Sequence, residues 1–345
     1  MKNIITATLV PTLASTFAFL SLTTAAPARD LSISVYGASQ DAYRRLLYAP
    51  FEAKCGCKLI VEAGNSNERL AKLEARKGAP VIDLAILPDY SAVYAARKDL
   101  IDPIDVSQLS NYTKLYEFAR DPIGNHYGVG YTFYATGIVY RTDKISISSW
   151  KDLWGPKLKD KLALPDISSS QGPMLLMMAE RAFGGSDPAF STGMDKVAVV
   201  KGGVVSFYSA GTELVQLFQQ DEIWAAVTGR FNWPLIKRLK LPLAWASPSE
   251  GDSGGMNVMV VTKGSKNRDL ALQFMDFWLS TEVQEKLAAE RIDSPGNAAA
   301  QVAPEAAENL TYGEDNVRRI HLVRPDIIDQ QRAGWVNTWN EKIKP

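Results

Sequence analysis

Residues 31–36, LSISVY, alternate apolar and polar side chains, the period of a strand. QDAYRRLLYAPFEAKCG, 40–56, comes next as a helix ending near Gly56. KLIVEAG (58–64) reads as the next strand. SNERLAKLEARKG (66–78) reads as the next helix, with Ser66 or Asn67 as cap and Gly78 as stop. VIDLAILP (81–88) has the continuous apolar character of a buried strand, and YSAVYAARKDL (90–100) returns to helical spacing. Strands alternating with helices predict an open α/β sheet. Such sheets bind ligands beyond the carboxyl ends of their strands. Here those ends are YGAS (36–39), AGNSN (63–67) and PDYS (88–91).

Further along, YGVGYTFYATGIVYR (127–141) is a long extended stretch, rich in aromatic and small residues, able to carry the chain from one lobe to another. SSWKDLWGPKLKDKLALPD (148–166) gives a capped helix, a turn and a strand. SSSQGPMLLMMAERAFGG (168–185) runs from three serines into an apolar helix. Residues 202–230 predict strand, helix and strand. Residues 241–265 return as extended chain with glycine hinges, and 267–291 form one or two amphipathic helices. No internal repeat or low-complexity tract interrupts this order.

The ends and totals narrow the function. A basic Lys2, an apolar stretch from Ile4 to Leu22 and an Ala-Pro-Ala ending describe a secretory signal peptide over residues 1–28. A membrane anchor is the alternative, against which stand the shortness of the stretch and Pro11. The remaining chain is expected to be exported, with no membrane insertion of its own. The whole sequence has 38 basic and 38 acidic residues, so nothing favours nucleic acid as a partner. Its length suggests two domains or lobes. Cys55 and Cys57 form either a small-ring disulfide or two free thiols at a helix end. His126 and His321 lie in no metal spacing, and no nucleophile elbow, phosphate loop or dinucleotide fingerprint is present. The expectation is a binding protein without cofactor or metal; an exported enzyme on the same fold is the alternative from another class.

The most distinctive chemistry lies in AAVTGRFNWP, 225–234, where Arg230 sits among apolar and aromatic neighbours. A guanidinium presents paired donors that match a carboxylate, and burying it unpaired costs several kcal/mol. Arg230 pairs either with an internal acid such as Asp221 or Glu222, or with a ligand. For a ligand's cationic end, Asp252 in the loop PSEGDSGGMN and Asp89 after the third strand are candidates; the one could be a solvated turn residue and the other a helix cap. Ser169 and Ser170 could cap their helix or receive an anion. Tyr36, Ser39, Tyr90, Phe133, Tyr134 and Tyr208 are candidate cleft residues; for the aromatics, core packing is the plainer role. Trp233, Trp335 and Trp339 read as packing.

Three stretches, 127–166, 260–288 and RAGWVNTWNEKI (332–343), resemble the periplasmic solute-binding proteins of bacterial ABC importers, of the spermidine/putrescine type. The resemblance implies a two-lobe α/β fold of the type II periplasmic-binding class, closing by hinge motion on a small molecule. Lobe 1 would comprise 29–133 and 258–310, lobe 2 134–257, with 311–345 packing across both. It also implies a separate membrane permease and ATPase as partners, and a periplasmic location. Polyamine binders of this type carry tryptophans and carboxylates where this chain has YGASQ, Ser168 to Ser170 and Val227. With Arg230 facing that gap, a small zwitterionic amino acid such as 4-aminobutyrate is the expected ligand, with α-amino acids and 2-aminoethylphosphonate as near competitors and a polyamine as the alternative.

Overall fold

The computed structural model describes residues 29–344, so the expected signal peptide lies outside the described residues. The strands are β1 (Asp30–Tyr36), β2 (Lys58–Gly64), β3 (Leu84–Pro88), β4 (Ile101–Asp102), β5 (Val129–Arg141), β6 (Leu162–Pro165), β7 (Val204–Tyr208), β8 (Ala225–Gly229), β9 (Leu243–Trp245), β10 (Asp252–Thr262) and β11 (Ile320–Leu322). They join in one sheet, ordered β2-β1-β3-β10-β5-β8-β6-β7, with β4 and β11 on β10 and β9 on β5. β1 runs parallel to β2 and β3, and β6 runs parallel to β7 and β8. The two parallel sets are joined by the antiparallel pair β5 and β10, from Ser253 opposite Thr136 to Met259 opposite Val129. Each parallel set therefore points its carboxyl ends at the same central gap.

Apolar side chains segregate into cores on either side of that gap, as the architecture of two packed lobes requires. One core gathers residues from Leu31 to Phe133 and from Met256 to Leu287. Two contiguous clusters lie on the other side, built from Ile138 to Ala246 and from Val323 to Ile343. β3 is buried along its whole length, which explains its unbroken apolar run.

Several local expectations hold and some shift. The first helical segment is three consecutive pieces, Gln40–Tyr43, Arg44–Tyr48 and Ala49–Cys55, closed by Gly56 at φ 63°, where a residue without Cβ is favoured. The helix Ser66–Ala75 is capped not by Ser66 or Asn67 but by Asn65, whose side chain accepts from Glu68 N at 2.9 Å. It ends at Arg76 rather than at Gly78. Cys55 and Cys57 form a disulfide, which decides between the two alternatives. The closing helix Pro325–Lys342 stacks Trp335 on Phe190 at 5.2 Å and sets Trp339 edge-on to Phe207 at 5.3 Å. Across the gap, Arg97 pairs bidentately with its Asp329 at 3.0 and 3.1 Å.

Candidate functional site

The gap between the lobes is a cleft of about 600 Å³, within the range of small-molecule sites. Its walls are the segments just beyond each parallel strand: Tyr36 and Ser39 after β1, Asn65 to Asn67 after β2, Tyr90 after β3, Ser168 and Ser170 after β6, Ser209 after β7 and Arg230 after β8. The crossing strands supply its floor through Tyr131 to Tyr134 and Asn257. The open-sheet rule thus explains the location of the cleft.

Arg230 begins a short helical turn at the end of β8. Its guanidinium lies over Trp245 at 4.6 Å and near Trp233 at 5.8 Å from the ring centroids. One terminal nitrogen donates to the Glu308 carbonyl at 2.7 Å, while the buried Nε has no partner. No carboxylate bonds it: Asp221, one of its suggested partners, is taken by Arg141 at 2.7 Å. Burial lowers its pKa to about 10, opposed by the nearby charges of Asp252 and Glu308, so it remains a cation at neutral pH.

The structure brings seven of the predicted residues to the cleft: Tyr36, Ser39, Tyr90, Phe133, Tyr134, Ser170 and Arg230. Tyr36 stands at the rim, 53% exposed. Phe133 is almost wholly buried, wedged edge-on against Tyr116 and Phe118, so it belongs to the core as much as to the wall. Tyr134 packs edge-on against Phe231 at 5.4 Å.

Four others stand elsewhere. Asp252 does not line the cleft; Trp245 Nε1 donates to its Oδ2 at 3.0 Å. It thus lies on the Arg230 side, bonded to the indole over which the guanidinium sits and near enough to interact with its charge, instead of at the opposite end. A Cβ on Gly137 would meet Asp252 Oδ1 at 2.6 Å and Trp245 at 2.7 Å, so a glycine there leaves room for this stack. Asp89 is buried beneath the wall and accepts from Tyr90 N at 2.8 Å, with burial raising its pKa to about 7; it is the first residue of its helix, whose cap position is Pro88, so it is not the helix cap its alternative suggested. Ser169 donates to the Asp166 carbonyl at 2.8 Å and accepts from Gly172 N at 3.2 Å, a turn role. Tyr208 is buried, its hydroxyl donating to the Val227 carbonyl at 2.8 Å, because the parallel pairing of β6 and β7 turns it into the core.

The sequence reading missed Asp293, Arg291 and Arg332. Arg332 comes from the closing helix, its guanidinium 5.3 Å from the Tyr90 ring. The charged residues lining the cleft are Arg230, Arg291, Arg332 and Asp293: three cations against one acid. A polycation would meet repulsion there, whereas an anionic group would find donors. No group of three or more His, Cys, Asp or Glu side chains gathers to hold a metal among the described residues.

Comparison with known proteins places this geometry. The model of the bacterial extracellular solute-binding protein family matches residues 47–312. The chain is 27% identical over 293 residues to a spermidine/putrescine-binding periplasmic protein of Salmonella typhimurium, covering 83% of this chain and 78% of that one. It is 26% identical to a putrescine/cadaverine-binding protein of Pseudomonas aeruginosa, covering 85% and 84%. An ABC transporter structure from Clostridium perfringens superposes with a TM-score of 0.85 at 31% identity, covering 91% of this chain and 99% of that one. A GABA receptor structure shares the fold, with a TM-score of 0.74 at 21% identity over 90% and 96% of the two chains. Two α/β lobes, strands crossing between them and a cleft at the strand ends are the architecture these proteins share, and the chain belongs to the bacterial extracellular solute-binding proteins.

Proposed function

We propose that this protein is the periplasmic receptor of an ABC importer for a small zwitterion, and that Arg230 holds the ligand's carboxylate. The observation that carries this reading is the state of Arg230. It is a partly buried guanidinium with an unpartnered Nε, it bonds no carboxylate, and it opens on a cleft where arginines outnumber acids three to one. The Coulomb attraction of a ligand carboxylate grows as closure expels water. The lobes divide near 133/134 and 257/258, and 311–345 packs across them. Closure would bring the serines after β6 and Arg230 toward Tyr36, Ser39 and Tyr90, and the ligand would favour the closed state by contacting both walls. Export by the leader over residues 1–28, and release to a permease with its ATPase, complete the reading.

4-Aminobutyrate is the simplest ligand with the required ends, and 2-aminoethylphosphonate offers the same layout with a stronger anion. The polyamine preference carried in the names of several relatives is disfavoured here by the arginines. Calorimetric titration of the purified protein tests the proposal. 4-Aminobutyrate is expected to bind, and Arg230→Ala to weaken it by about thirtyfold or more, since removing one partner of a desolvated charge pair costs about 2–5 kcal/mol. Putrescine binding that survives the substitution would refute it.

A further inference from the structure

We infer that Asp293, a residue of the lobe opposite Arg230, is the group that receives the ligand's ammonium; this rests on the reading of the cleft as a zwitterion site. Asp293 lines the cleft yet is only 5% exposed. Each of its oxygens accepts, at 3.0 Å, from a single donor, the Tyr43 hydroxyl. An ionised carboxylate offers about four acceptor sites, so most of its capacity is unspent. No lysine or arginine pairs with it among the described residues. A buried acid that opens on a cavity and lacks a cation is matched by a guest that brings one.

The surroundings fit an ammonium on a short aliphatic stem. Tyr43 and Tyr131 line the cleft beside it, and Trp278 packs behind both, at 5.5 Å and 4.6 Å between ring centroids. Aromatic faces attract cations and cover methylenes. The carboxylate is also held in place. Gly296 N donates to Gln284 Oε1 at 2.8 Å and pairs with the Tyr131 carbonyl at 3.0 Å, so the loop carrying Asp293 is fastened to β5. Asp293 thereby supplies the anion for the ligand's cationic end that Asp252 and Asp89 do not, and a ligand spanning from Arg230 to Asp293 touches both lobes.

The test compares the purified wild type with Asp293→Asn and Arg230→Ala, titrating 4-aminobutyrate, butyrate, butylamine and putrescine. The expected result is that Asp293→Asn weakens 4-aminobutyrate by about tenfold or more and narrows the preference for it over butyrate, with thermal melting as the check that the variant is folded. Unaltered 4-aminobutyrate affinity in Asp293→Asn would overturn the assignment, as would a wild type that binds butyrate as tightly as 4-aminobutyrate. 4-Aminobutyrate binding weakened in Asp293→Asn but kept in Arg230→Ala would uphold Asp293 while refuting the carboxylate role of Arg230. The reverse pattern would uphold Arg230 and remove Asp293 from the site.

Discussion

Three acids around the cleft carry raised pKa values: Asp89 and Asp293 at about 7 and Asp252 at about 6, each chiefly through burial. The folded state therefore holds protons that the unfolded chain has already released. The stability contributed by those protons is fully present below the ordinary carboxylate range and is lost as pH rises through about 6 to 7. The groups facing Asp293 are Tyr43, Tyr48 and Tyr131, whose own pKa values are raised, so no neighbour titrates in that window. Asp293→Asn is accordingly expected to gain stability relative to wild type at pH 8, by about 1–3 kcal/mol, and little at pH 5. Paired thermal melts of the ligand-free proteins check this. Arg230 was legible in the sequence because an arginine inside an apolar run asks for an anion. Asp293 was not, because its meaning depends on Tyr43, 250 residues away. The available signal was faint: Asp293 is the only charged residue between Ile292 and Glu305. Asp252 was misplaced because the chain gives no hint that Trp245 would take it as a hydrogen-bond partner away from the cleft wall.

Among the elements, the alternation of β1, β2 and β3 with their helices was plain from periodicity, and so was the long crossing strand β5. Helix ends were less so, since Asn65, Ser66 and Asn67 can all cap and the backbone chooses one. The pairing that matters most, β5 against β10, joins segments more than a hundred residues apart, and no local pattern encodes it. The loop after the helix Thr281–Ala289 is an element of the same kind. A Cβ on Gly296 would lie 2.9 Å from the Tyr131 carbonyl oxygen and 3.0 Å from that of Gly130. Backbone cannot yield as a side-chain tip does, so Gly296→Ala is expected to cost about 1–3 kcal/mol and to shift Asp293 off its mark. Chemical denaturation should show the loss. Titration of the variant should show weakened 4-aminobutyrate with butyrate little changed.

For the whole molecule, the closing helix is tied to both lobes, through Arg97 and Asp329 on one side and Trp335 and Trp339 on the other. It also delivers Arg332 to the cleft. The chain as a whole is electrically balanced, with equal numbers of acidic and basic residues, so the excess of arginine at the cleft is a local field. Such a field acts on solutes before any contact forms, and it is screened within about 8 Å at physiological salt and about 3 Å at 1 M. Capture of a carboxylate should therefore slow as salt rises, by about tenfold between dilute buffer and 0.5 M sodium chloride. Stopped-flow association of butyrate, a net anion, would measure it, and Arg291→Gln or Arg332→Gln should flatten the dependence. Selection between anions and polyamines would then begin with how fast each solute arrives. A bacterium in dilute water would sort its nutrients more sharply than the same cell in brine, with no change in the protein.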